Sequence, residues 1–178
     1  MTGDGGTERA KAARHVVVMG VSGCGKTTVA EGIAASLGRA FADADGFHPP
    51  ENVAKMRAGI PLDDSDRWPW LRALAAWMSE QADEGRSTVM ACSALRRAYR
   101  DVLRSAPPGV VFVHLHGPAE VIESRMSSRA GHFMPSALLA SQLSTLEPLA
   151  ADEPGVVLDL RDEPESLVRQ ALAWLDER

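Results

Sequence analysis

Residues Gly20-Val21-Ser22-Gly23-Cys24-Gly25-Lys26-Thr27 fit the spacing G-x-x-x-x-G-K-[ST] at every fixed position, and Thr28 extends the run. The residue types suit polyphosphate. Backbone N–H groups must turn inward toward phosphate oxygens, and glycine permits that backbone while leaving room for the ligand. A helix starting here presents the positive end of its dipole to the anion. Lys26 is placed to reach the β- and γ-phosphates, and the Thr27 hydroxyl to ligate Mg²⁺. Cys24 fills a variable position and reads as a small filler rather than a redox switch.

Polyphosphate binding alone leaves several chemistries open. A guanine-specific N-K-x-D tetrapeptide does not occur in the chain. The strand Thr88–Cys92 ends Ala91-Cys92-Ser93, without the acidic terminus that often completes a metal site in such proteins. The carboxylates that can replace it are Asp43 and Asp45, in Asp43-Ala44-Asp45. Two apart at a strand exit, they point to the same side. One can assist Mg²⁺ through water while the other meets a substrate hydroxyl; a solvated acidic turn is the plainer alternative. The combination points to ATP and phosphoryl transfer to a small hydroxylated metabolite.

These residues need a scaffold. His15–Gly20 is a short β-branched run expected to be a buried strand, with a helix over Lys26–Leu37 capped by Gly38. Further strands are predicted at Arg39–Asp43, Ser87–Cys92, Gly109–Leu115 and Val156–Leu160. Helices are predicted at Asn52–Ala58, Trp68–Glu84, Leu95–Arg104, Pro118–Ser128, Ser136–Thr145 and Pro164–Leu175, with a polar loop over Gly59–Asp66. The alternation implies an α/β fold, a five-stranded parallel sheet covered by helices on both faces. Residues 15–178 form one domain on this reading, and the polar, Gly-rich residues 1–14 a disordered leader.

Composition narrows the class. The 178 residues are 45% hydrophobic and 24% charged, with a formal net charge of −5, which offers no electrostatic footprint for nucleic acid or an anionic membrane. No apolar run approaches the roughly 20 residues a membrane span needs. Two cysteines, Cys24 and Cys92, argue against a disulfide framework and for a reducing cytoplasm. Of 19 basic residues only Lys11, Lys26 and Lys55 are lysine, so a given arginine is weaker support for a phosphate clamp than usual. Trp68, Trp70, Trp77 and Trp174 serve either the core or a homodimer face.

In order along the chain, Gly20–Thr28, D-A-D-G-F-H-P from Asp43, D-R-W-P-W-L from Asp66, C-S-A-L from Cys92, G-H-F-M-P from Gly131 and S-Q-L-S-T-L-E-P from Ser141 resemble the successive blocks of the gluconokinase family. The resemblance covers about residues 16 to 160. It implies a three-layer P-loop NTPase fold like that of shikimate and adenylate kinases, with a small lid at about 125–140. It also implies transfer from ATP, with Mg²⁺, to D-gluconate, giving 6-phospho-D-gluconate. A related kinase of a shikimate-like acid or sugar, or a nucleotide-binding module without turnover, are the competing readings.

The resemblance places Asp45 at the acceptor hydroxyl, as orienter or general base, and Asp43 beside the metal. His48 would hydrogen-bond the polyol, or be an ordinary loop histidine. A carboxylate bearing five hydroxyls calls for arginine and several hydrogen-bonding groups. Arg67, Arg96 and Arg97 are the substrate candidates, with Ser93 at the N-cap of their helix. Arg125 and Arg129, four apart on one helical face, would close over the phosphates as arginine fingers in cis, or form a solvated face. His132 and Gln142 are candidate substrate or lid contacts. The chain near Asp159–Pro164 should pass the adenine.

Overall fold

The structure, a computed structural model, describes residues 14–128 and 136–178. The leader over 1–13, Arg129 and His132 lie outside the described residues, as do residues 129–135 of the expected lid. Five strands, β1 (His15–Met19), β2 (Ala40–Asp43), β3 (Thr88–Ala91), β4 (Val110–His116) and β5 (Gly155–Asp159), make one parallel sheet in the order β2-β3-β1-β4-β5. The helices are α1 (Lys26–Leu37), α2 (Pro50–Arg57), α3 (Asp64–Asp83), α4 (Arg97–Arg104), α5 (Ala119–Ser127), α6 (Ser136–Thr145) and α7 (Pro164–Asp176).

Chain direction dictates the layers. From β1 the chain crosses outward to β2 and then moves back through β3 to β4 and β5. Right-handed crossovers therefore put α1 on one face and α3 and α4 on the other. Consistently, α1 packs on α7 and α3 on α4. With both faces covered, β1 is the most buried strand; Val16, Val17, Val18 and Met19 are fully buried, each stabilising by roughly 1.5–3 kcal/mol. The reversal of strand order beside β1 leaves a crevice at the carboxyl ends of the strands, where ligands bind in open α/β sheets. Asp43 is level with Ala91, and Ala91 with Val18, so the P-loop, the β2 exit and the β3 exit open at one edge.

Two of the boundary shifts from expectation shape that crevice. Helix α3 begins at Asp64 rather than Trp68. A capping box starts it: the Asp66 N–H donates to Asp63 (2.9 Å) and the Asp63 N–H to Asp66 (3.0 Å). Pro69 lies inside this helix and withholds only the N–H that Ser65 would accept. Helix α4 begins at Arg97 with Arg96, not Ser93, at its N-cap, and the Arg97 N–H donates to the Glu147 carboxylate at 2.8 Å. Ser93 instead leads into Ala94, whose φ of 23° is strained for a residue with a Cβ. Arg100 holds that turn. It is fully buried, donates to the Ala94 carbonyl (3.0 Å), and forms a forked ion pair with Glu153 at 2.7 and 3.0 Å.

Among the tryptophans, Trp70 is buried, while Trp68, Trp77 and Trp174 pack partly buried against the core. Cys24 and Cys92 are free and buried, and burial pushes the Cys92 thiol up to about 12. Among the described residues no helix is long and apolar enough to cross a membrane.

Two buried histidines tie stability to pH. His15 accepts the Thr88 N–H at Nδ1 (3.2 Å), so its Nε2–H donates to the Pro107 carbonyl (2.9 Å), and burial lowers its pKa. His114 has no partner for either ring nitrogen among the described residues, and burial with the nearby His116 and Arg100 takes it down to about 4. Both groups bind more protons unfolded than folded. Full stability is present above the unfolded value of about 6.5 and is lost as pH falls below it, for His114 down to about 4 at up to about 1.4 kcal/mol per pH unit. Urea midpoints measured from pH 7.5 to 4.5 should fall in that window. His114→Leu should flatten the slope; an unchanged slope would remove His114 from the account.

Candidate active site

The phosphate cradle is built by backbone geometry. Gly20 has φ 147°, and a Cβ there would lie 2.7 Å from the Leu115 carbonyl oxygen and from Cys24 Sγ, so only glycine lets the strand turn. Gly25 starts α1 in the left-handed conformation (φ 94°) and provides no side-chain cap. The first N–H groups of α1 therefore keep their donors and the helix dipole for an anion. Lys26 folds back, donating from Nζ to the Val21 carbonyl at 3.0 Å. Two of its three hydrogens remain for phosphate.

At the β2 exit, Asp43 caps a single 3-10 turn, Ala44–Phe47, by accepting the Asp45 N–H at 2.9 Å. Its other oxygen accepts from the Thr27 hydroxyl at 3.5 Å. Trp70 pins the turn, its indole N–H donating to the buried Ala44 carbonyl at 2.7 Å, and Phe47 packs edge-on against Trp77. Asp45 is thereby held beside the cradle. Desolvation raises the pKa of its carboxyl, Lys26 opposes the rise, and Asp43 adds to it.

One pocket joins Ser22 and Lys26 of the cradle to Asp45, His48, Arg67, Ser93 and Gln142, with Ser141 beside them. Trp70, Met56, Leu62 and Leu138 supply its apolar wall. Arg67 is largely buried, lies over the Tyr99 ring at 5.2 Å, and its Nε has no partner among the described residues. It is a desolvated cation facing a cavity, which an anion would stabilise. His48 stacks on Trp70 with centroids 4.2 Å apart, and burial beside Arg67 lowers it to about 4, so it is neutral. Gln142 spans two elements: its Oε1 accepts the Ser22 N–H at 2.7 Å and its Nε2 donates to Ser22 Oγ at 3.1 Å.

Other expected site residues lie elsewhere. Arg96 pairs with Asp64 at 3.3 Å, and Arg97 forks onto Asp152 at 2.7 and 2.6 Å on an exposed face; neither lines the pocket. Arg125 lines a separate cavity on the outer side of the cradle with Cys24, Gly25, Thr28, Asp162 and Glu163. That cavity includes the segment expected to pass the adenine. Ser141 and Asn52, which carry no local signal of a role, also belong to this site. Buried on α2, Asn52 donates to His48 Nδ1 at 3.2 Å and to the Asp66 carbonyl at 2.9 Å. It lies twelve residues before Asp64, the first residue of α3, beyond the reach of any local pattern.

The parallel sheet, the cradle after β1 and the acceptor-side pocket beside it together define a P-loop kinase fold. The profile of a family described as an AAA domain matches residues 16–149. A gluconokinase from Gluconobacter oxydans is 45% identical over 159 residues, 89% of each chain. A crystal structure of an unliganded sugar kinase from a Janibacter species is 65% identical and superposes with TM-score 0.89, covering 92% of this chain and 95% of that one. A gluconokinase from Sinorhizobium meliloti is 47% identical with TM-score 0.85 over 92% of both chains. The chain belongs to the gluconokinase family.

Proposed function

We infer that the protein transfers the γ-phosphoryl group of ATP to D-gluconate, forming 6-phospho-D-gluconate and ADP. The observation that carries the reading is one cavity containing the cradle's Lys26, a carboxylate, Asp45, and Arg67, whose Nε has no partner among the described residues. A polyol acid needs those groups: phosphate stabilisation at one end, a hydroxyl acceptor in the middle and a cation for its carboxylate. The two buried, unbridged cysteines suit the reducing cytoplasm.

The nucleotide's phosphates lie in Gly20–Thr28, and its nucleoside in the outer cavity between Thr28 and Asp162–Pro164, with Arg125 alongside. Thr27 and Asp43 offer hard oxygen donors 3.5 Å apart, which suits Mg²⁺, an ion that keeps several waters and phosphate oxygens among its ligands. When bound, Mg²⁺ neutralises charge on the phosphates. Asp45 accepts a hydrogen bond from the 6-hydroxyl and orients its lone pair. That oxygen bonds to the γ-phosphorus, the bond from phosphorus to the β–γ bridging oxygen breaks, and the hydroxyl proton passes to Asp45. Lys26 stabilises the charge spreading over the transferred oxygens. Arg67 binds the carboxylate at the far end, and Ser93, His48 and Gln142 are placed to contact the hydroxyls or the γ-phosphate.

ADP release with Mg-ATP should be measured across D-gluconate, glucose, shikimate, sorbitol and other sugar acids. Gluconate should stimulate most. Stimulation by another acceptor alone would retain the kinase and overturn the substrate, and tight ATP binding without transfer to any acceptor would favour a binding module.

A further inference from the structure

The hydrogen bonds of Asn52 fix more than a loop. Its side-chain nitrogen lies 2.9 Å from the backbone carbonyl of Asp66. A carbonyl only accepts, so the amide's NH₂ faces that side, and this sets the amide's orientation. The second hydrogen of the same NH₂ points at His48 Nδ1, 3.2 Å away. A donor facing Nδ1 obliges that nitrogen to accept. In the neutral ring the proton is then on Nε2.

The ring is also held in place. It lies nearly parallel to the Trp70 indole (16°, 4.2 Å), and the indole is anchored through its own N–H on the Ala44 carbonyl at 2.7 Å. Asn52 and Trp70 are each only 2% exposed. With Nδ1 occupied, the polar atom His48 has left for the pocket is Nε2, and it carries a hydrogen.

We propose that Asn52 is a positioning residue that holds His48 as a fixed hydrogen-bond donor, so that the acceptor pocket selects a substrate with an accepting oxygen at that point. The proposal rests on the assignment of this cavity to the phosphoryl acceptor. Around the cavity, Arg67, Lys26 and His48 then offer donors only, and Asp45 accepts only. A polyol acid satisfies both, since its carboxylate accepts and its hydroxyls do either. An analogue lacking the oxygen opposite His48 leaves a half-buried N–H unpaired in the pocket, which is how polar sites discriminate.

The test has two arms. In ligand-free protein labelled with ¹⁵N, a long-range ¹⁵N–¹H correlation spectrum, with the His48 signals assigned by their loss in His48→Gln, should show a protonated Nε2 and an unprotonated Nδ1 at pH 7. A protonated Nδ1 would overturn the proposal whatever the substrate. In steady-state kinetics, Asn52→Leu should raise the KM for gluconate about tenfold, the equivalent of one lost hydrogen bond, while kcat and the KM for ATP hold. His48→Leu should raise the gluconate KM at least as much, and the double variant should be no worse than His48→Leu alone. Additive losses would show that Asn52 acts structurally and not through His48. If Asn52→Leu does not fold, the spectrum decides the donor state, and His48→Gln, which keeps a donor near Nε2, should retain more gluconate affinity than His48→Leu; equal losses would contradict it. Should gluconate prove inert, the spectrum still reports on the tautomer, so the two readings fail separately.

Discussion

Replacing Lys26 by alanine should lower kcat by at least about 10²–10³-fold, the loss typical of removing one preorganised donor from a developing anion. The expectation follows from where the side chain is anchored. Lys26 is the second residue of the G-K-T triplet, at the start of α1, and its Nζ donates to the Val21 carbonyl across the cradle at 3.0 Å. The ammonium is therefore suspended over the loop whose N–H groups face the phosphates. It also lines the cavity shared with Asp45, on the path between donor and acceptor. It forms no ion pair within 4 Å among the described residues and only offsets the charge of Asp45 at longer range, so its removal should leave the urea midpoint little changed. Stopped-assay kcat beside ATP affinity by calorimetry separates the outcomes. Near-normal kcat would remove Lys26 from the chemistry, and a large stability loss would make its role structural.

Asp45→Asn should lower kcat by about 10²–10⁴-fold, the range for a positioned acid–base group, with ATP affinity little changed. The substitution keeps the shape and the Asp45 N–H, which donates to Asp43 Oδ1 and maintains the turn. What it removes is the acceptor for the hydroxyl proton. Asp45 is distinct here from Asp43, which faces the Thr27 hydroxyl and whose loss should weaken Mg-ATP itself. Matched losses of ATP affinity and kcat in Asp45→Asn would move Asp45 to the nucleotide side.

The parts of the site legible in the sequence were those encoded by short-range pattern. Val16–Met19 before three glycines and Lys26 specify strand, turn and helix start within a dozen residues. Asp43 and Asp45 stand out because they sit two apart at a strand exit, and the structure sets both beside the cradle. Arg96 and Arg97 show where such reading ends. Their partners, Asp64 and Asp152, lie 32 and 55 residues away, and only tertiary packing turns them out of the pocket. Arg67 differs because α3 starts early: the Asp63/Asp66 box, masked by Pro69, sets the helical phase that buries it over Tyr99. Asn52 escaped for a related reason. A buried asparagine in a short helix has no periodic signature, and its two acceptors come from different elements.

In the proposed reaction ATP gives its γ-phosphoryl group to the primary hydroxyl of gluconate within one cavity. A ³¹P NMR time course of the purified protein with Mg-ATP and D-gluconate tests it most directly. The γ-phosphate signal should be lost, matched one for one by ADP and by a phosphomonoester split by the two protons of a CH₂ group. Release of inorganic phosphate in place of that ester, or a spectrum that does not change, would contradict it.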